Sequence, residues 1–238
     1  MTDTTKSRVL IVVTSHTSLG DTGHTTGVWL EELTTPFYAF ADAGCEVTVA
    51  SVAGGAVPVD PNSQAGAEEG SETPASVERA ASDEVFQQMI AGTPSIAEID
   101  AADYDAVFLP GGHGTMWDMP GNAVLAALLG KAWAQGKVVA AVCHGPAGLV
   151  SATDEDGKPL VAGRKVSAFT DSEERAAGLD KAVPFLLETR LAELGAQIDK
   201  GPDFEAHAVR DGQLVTGQNP ASSLGVAQLV LEAITPSA

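Results

Sequence analysis

The sequence predicts an α/β fold in which helices cover both faces of a mainly parallel sheet. Two observations carry this expectation. Short, mostly β-branched apolar runs alternate along the chain with longer stretches whose apolar residues recur at helical spacing. The runs are apolar at nearly every position rather than every second one, the pattern of strands buried on both faces. With 238 residues and 44% hydrophobic content, the chain can bury one substantial core and reads as a single domain over 1–238.

The elements follow in order. A strand is predicted over Arg8–Thr14 and a helix over Val28–Ala43, with Pro36 expected to kink or end its first segment. Glu46–Val52 reads as the next strand. Residues 54–82, rich in Gly, Pro, Ser, Ala and Glu, read as a surface excursion, because a helical stretch (Asp83–Ile90) and a strand (Ala106–Leu109) resume directly. A helix over Val124–Gln135 leads to the strand Val138–Val142, with a further helix predicted over Ala147–Ala152. Lys165–Phe169 reads as a strand, Ala182–Leu194 as a helix, and Leu214–Gly217 as a strand after the Asp211-Gly212 turn.

Bulk properties narrow the function classes. Acidic residues outnumber basic ones 32 to 13, for a net charge of −19, which excludes nucleic acid and anionic membrane as partners. No apolar run reaches the roughly 18 residues of a membrane span. The first residues carry no secretory signal pattern, and Cys45 and Cys143 make no disulfide framework, so the chain reads as cytoplasmic. No Cys/His spacing resembles a structural zinc site, and no metal is expected.

The most informative stretch is Val138–Gly148. A β-branched strand ends on Cys143, His144 and Gly145 follow, and Pro146 opens the next element. This is the thiol version of a nucleophile elbow. A helix start at that point favours thiolate over thiol, whereas a buried structural cysteine is the alternative. A second strand ends in Leu109-Pro110-Gly111-Gly112-His113-Gly114, whose glycines let backbone approach a ligand. The amides of Gly112 and His144 would together form an oxyanion hole. His113 reads as a turn or pocket-wall residue, and Cys45 as structural.

Carboxylates complete the set. On the predicted helix from Val28, the residues Trp29, Leu33, Phe37 and Phe40 form one stripe; Glu31 lies opposite it, and Glu32 at its flank. Partial desolvation there would raise the Glu32 pKa so that it carries a proton; an ordinary solvated glutamate is the other reading. Glu173 and Glu174 follow the strand Lys165–Phe169, where one of them could orient His144 or both could simply favour a helix start.

Taken together, several segments resemble the ThiJ/PfpI superfamily, and more narrowly its heat-inducible chaperone and glyoxalase III branch. They are 26–36 (TGVWLEELTTP), 54–63 (GGAVPVDPNS), 110–118 (PGGHGTMWD), 141–146 (AVCHGP), 169–174 (FTDSEE) and 214–222 (LVTGQNPAS). The resemblance implies a flavodoxin-like three-layer sandwich, a class I glutamine amidotransferase-like fold, and a homodimer. It implies Cys143 as nucleophile, His144 as its partner, Glu174 as the acid orienting His144 and Glu32 as a protonated acid at the sulfur. The adjacent Glu173 stays open as an alternative for the orienting acid. Glutamine amidotransferases place a His-x-Glu pair far downstream; His207 is followed by Ala208 and Val209, which excludes glutaminase chemistry.

The resemblance implies a cofactor-independent glyoxalase. Methylglyoxal or a related 2-oxoaldehyde would become a 2-hydroxy acid, lactate in the first case, through a Cys143 hemithioacetal. A holdase-type stress chaperone, a protein deglycase and a redox sensor through Cys143 oxidation are the alternatives.

Overall fold

The structure, a computed structural model, describes residues 6–66 and 72–235. Its centre is a six-stranded sheet built from β1 (Arg8–Val13), β2 (Glu46–Ser51), β3 (Ala106–Leu109), β4 (Val138–Val142), β7 (Ala208–Asp211) and β8 (Leu214–Gly217). The strand order is β2-β1-β3-β4-β8-β7, parallel throughout except for the antiparallel β7–β8 hairpin at one edge. The predicted α/β fold and its mainly parallel sheet are therefore observed.

Alternation along the strands divides the core in two. Val9, Ile11 and Val13 of β1, with Phe108 and Val142, face α1 (Leu30–Asp42) and α8 (Ser223–Ile234), which contribute Leu33, Phe40, Val226 and Val230. Nearby on this side lie α2 (Ala75–Ser82) and α3 (Glu84–Ala91), the latter burying Phe86. Leu10, Val12, Val107 and Val139 face the other way, against α5 (Ala123–Ala134) and α7 (Leu187–Glu193). Each buried Leu, Val or Phe contributes about 1.5–3 kcal/mol relative to exposure, so both layers are firmly held.

Several local expectations are refined. Pro36 does not end α1: the helix runs through it to Asp42, because Phe37 and Phe40 beyond it remain buried against the sheet. Only Lys165–Val166 of the predicted strand Lys165–Phe169 is extended; as β5 it pairs with β6 (Gln197–Ile198) outside the central sheet. The helix predicted over Ala182–Leu194 shortens to α7. Within the segment 54–82, the described residues 54–66 and 72–82 carry a 3₁₀ turn (Pro61–Ser63) and α2, more regular structure than their composition suggests. Val59 bridges to Val28, and the Ser63 hydroxyl accepts the first amide of α1 at 3.0 Å, so this segment fixes where α1 begins.

The helices α4 (Thr115–Asp118) and α6 (Asp171–Ala176) are short and stand just after the strand ends of β3 and β5. The loops that follow β3, β4 and β8 thus meet at one edge of the sheet, the carboxyl ends of its parallel strands.

Candidate active site

Cys143 adopts φ +58°, the left-handed region that a side chain rarely enters. Neighbouring strand ends hold it there. Its amide donates to the Gly217 carbonyl at 2.9 Å, and its own carbonyl accepts the Phe169 amide at 2.8 Å. The chain then turns through His144 into a five-residue 3₁₀ segment, Gly145–Leu149, rather than the predicted helix Ala147–Ala152. The irregular backbone resolves a geometric conflict: adjacent Cys and His on a regular strand would face opposite sides, yet here the Cys143 Sγ lies 3.3 Å from the His144 Nδ1.

The elbow depends on Gly145. A Cβ there would sit 2.0 Å from the Leu109 carbonyl oxygen, so the turn crosses the end of β3 at backbone contact. Gly145→Ala is expected to destabilise the fold by about 3 kcal/mol, read as a lower urea midpoint, because neither backbone can retreat without breaking the sheet. A midpoint equal to wild type would contradict this packing.

Two carboxyl groups stand near the Cys143–His144 pair, and their surroundings differ. Glu32 is 0% exposed on the buried side of α1. Its Oε2 accepts the Gly111 amide at 2.7 Å, while Oε1 is left without a hydrogen-bond partner among the described residues. The Cys143 thiol is close enough for each group to shift the other's proton affinity. Burial pushes the Glu32 pKa up to about 8, with Cys143 and the Gly111 amide working against it, so the acid is protonated at neutral pH. Glu31, expected to face water, is itself half-buried.

Glu174 behaves oppositely. Its Oε2 accepts from His144 Nε2 at 2.7 Å and its Oε1 from His113 Nε2 at 2.9 Å. Burial pushes its pKa up, but the bonds from His113 and His144 outweigh that and hold it down at about 2. An ionised Glu174 can only accept, so both imidazoles present Nε2–H to it, and His144 Nδ1 is left bare toward the sulfur. Burial, then the neighbouring His113, lowers the His144 pKa to about 4, which keeps the ring neutral.

Of the adjacent acids, Glu174 is therefore the one on His144. Glu173 is consumed by structure: its Oε2 takes the Thr170 amide and hydroxyl, both at 2.9 Å, closing a capping box on α6. Its Oε1 takes the Phe204 amide and the side chains of Gln218 and Asn219.

The thiol itself departs from expectation. Cys143 is only 4% exposed, and burial, then the charge Glu32 would carry if ionised, push its pKa up; the His144 amide opposes this. A short 3₁₀ turn cannot offset that burial in the way predicted for a helix start. Cys143 lines a cavity of about 450 Å³ together with Trp29, Glu32, His113, Phe169, Leu179 and Phe204. Gly112 and the backbone of His144 border the same cavity. The Thr115 hydroxyl lies within bonding distance of both the Gly112 carbonyl (2.9 Å) and the His144 carbonyl (3.0 Å), tying the two loops together.

Asp60 and Asn62 carry no site role in the sequence reading, and His113 reads there as a turn or pocket-wall residue, without its bond to Glu174. His113 shares Glu174 with His144, their rings 4.1 Å apart; its position one residue after Gly112 was the available signal. Asp60 and Asn62 bring the 54–82 segment to the cavity wall. His113, His144 and Glu174 also bring one ligand atom each within 4.8 Å of one another, a group that could hold a divalent ion. The two hydrogen bonds to Glu174 already account for their approach.

The DJ-1/PfpI family model matches residues 24–233. The chain is 33% identical to the glutathione-independent glyoxalase HSP31 of Saccharomyces cerevisiae, over 95% of this chain and 98% of that protein. It resembles the crystal structure of glyoxalase III from Candida albicans with a TM-score of 0.82 and 30% identity, covering 95% of this chain and 97% of that one. It also resembles the Rapid Encystment Protein of 24 kDa from Francisella tularensis, with a TM-score of 0.91 and 32% identity over 97% and 100% of the two chains.

Proposed function

The chain belongs to the DJ-1/PfpI family, and on that premise we infer that it is a glutathione-independent glyoxalase converting a 2-oxoaldehyde to a 2-hydroxy acid. One observation carries the reading: a thiol lining a cavity lies against a neutral imidazole, His144, and shares that cavity with a protonated carboxyl, Glu32.

The reaction follows from those protonation states. As the Cys143 sulfur adds to the aldehyde carbon, its proton passes to His144 Nδ1, and Glu174 stabilises the resulting imidazolium. Glu32 gives its proton to the developing alkoxide, which the Gly112 and His144 amides flank. The product is a hemithioacetal, and Glu32 is now a base within the same pocket. It removes the carbon-bound proton while the imidazolium protonates the adjacent carbonyl oxygen, giving an enediol. Glu32 then delivers its proton to that second carbon and takes the one from the first hydroxyl, leaving a thioester. His144 deprotonates water for attack on the thioester and returns the proton to the departing sulfur. The sum is aldehyde plus water giving hydroxy acid, with the protein's own thiol in place of a soluble one.

Wild-type protein given methylglyoxal without added thiol is expected to form lactate, at a rate that glutathione does not raise. Its kcat/KM falls as pH rises through about 8, where Glu32 loses its proton. It also falls as pH drops through about 4, where His144 gains one. No lactate, or lactate only with added thiol, would overturn the reading. A holdase role would need a contiguous apolar surface. The exposed large hydrophobic residues among those described, Val85, Val124, Phe204 and Leu224, sit on separate elements, which favours the enzyme.

A further inference from the structure

Phe204 combines three unusual properties. It is a bulky residue at φ +61°, it is 53% exposed, and it lines the cavity above Cys143. Neither burial nor chain geometry accounts for an aromatic side chain there, and strained positions of this kind concentrate at ligand clamps. Its turn is nevertheless held on several sides. The Phe204 amide donates to Glu173 at 2.7 Å, Gln218 donates to the Pro202 carbonyl at 3.1 Å, Asn219 to the Glu205 carbonyl at 2.8 Å, and Ser172 to Asp203 at 2.7 Å. The backbone is thus fixed by the loops that carry the site, and the ring is left unpacked on its outer face.

The ring extends an aromatic wall from the reacting atoms outward. Phe169 lies 4.4 Å from the His144 ring, and Phe204 lies 6.3 Å from Phe169 in an edge-on arrangement. Leu19, Trp29 and Leu179 also line this cavity. Its size matters as well. Methylglyoxal has five heavy atoms, each taking no more than the ~30 Å³ share of a water molecule. It would leave most of the roughly 450 Å³ empty. A ring-bearing homologue with twice as many heavy atoms fills it far better.

We propose that Phe204 is a specificity-determining residue that selects 2-oxoaldehydes bearing an aryl substituent, with the substituent packed along Phe169 and Phe204 and the aldehyde at Cys143. This deepens the glyoxalase reading and rests on it. An aryl group gains from edge-on and offset contacts with both rings, and methylglyoxal has nothing to place there.

The test compares phenylglyoxal with methylglyoxal in wild type, Phe204→Ala and Phe204→Leu. Phe204→Ala is expected to lower kcat/KM for phenylglyoxal about tenfold relative to that for methylglyoxal, with Phe204→Leu between. An equal fall for both substrates, or no fall for phenylglyoxal, overturns the proposal. Acetophenone, which carries the ring but no aldehyde, reads the same surface without turnover by saturation-transfer NMR. Ring-proton saturation that is strong in wild type and lost in Phe204→Ala supports the aryl site even if neither aldehyde is consumed, a result that would sink the glyoxalase reading alone. Equal saturation in both proteins overturns the aryl site itself.

Discussion

Cys143→Ala is expected to lower lactate formation from methylglyoxal on the order of 10⁴-fold or more, since every later step is built on the carbon–sulfur bond. The loss should come without unfolding. Alanine keeps the Cβ that Cys143 already places in the left-handed region, and the hydrogen bonds to Gly217 and Phe169 use backbone atoms alone. Removing one buried sulfur costs about 1 kcal/mol, so the thermal midpoint should move by only a few degrees. Comparable rates in the two proteins would remove Cys143 from the reaction, and a fold collapse would show that the elbow needs the thiol for packing.

Glu32→Gln removes the proton that the reaction gives to the alkoxide and later shuttles between the two carbons. Glutamine keeps the size of the side chain and an oxygen to accept the Gly111 amide, so the cavity lining is preserved. It cannot accept and return a carbon-bound proton. Turnover should fall about 10³-fold, the scale of a lost general acid–base. Stability carries a second signature. The folded Glu32 holds its proton to about 8, whereas the unfolded residue releases it near 4.5. Between those values the unfolded chain binds fewer protons, so rising pH lowers wild-type stability, by up to ~1.4 kcal/mol per pH unit. That contribution is fully present below 4.5 and is lost by the time pH passes about 8. Glu32→Gln lacks it, so the variant should gain on wild type as pH rises through that window. Parallel pH–stability curves would mean that Glu32 is ionised in the folded protein.

What could be read ahead of the structure was what local sequence determines. The β4–Cys143 elbow, the Gly-rich end of β3 and the apolar stripe of α1 are each written in consecutive or helically spaced residues. Glu32 was legible as a residue at the edge of a buried face, although its complete burial was not. Interactions across long separations were hidden. The extended run at Lys165–Phe169 stops at Val166 because its partner strand lies at 197–198. The sharing of Glu174 by His113 and His144 joins positions 61 and 30 residues apart. The thiol's protonation was misjudged for the same reason: a helix start can be inferred from Pro146, but burial is set by the loops that close over Cys143.

Infrared spectroscopy tests the uncharged state of Glu32 most directly. At neutral pH the wild-type spectrum should contain the carbonyl stretch of a protonated carboxylic acid that is missing from Glu32→Gln, and that band should fade as pH rises through about 8. Identical carbonyl regions in the two proteins at neutral pH would mean that Glu32 is a carboxylate, with no proton to give the alkoxide.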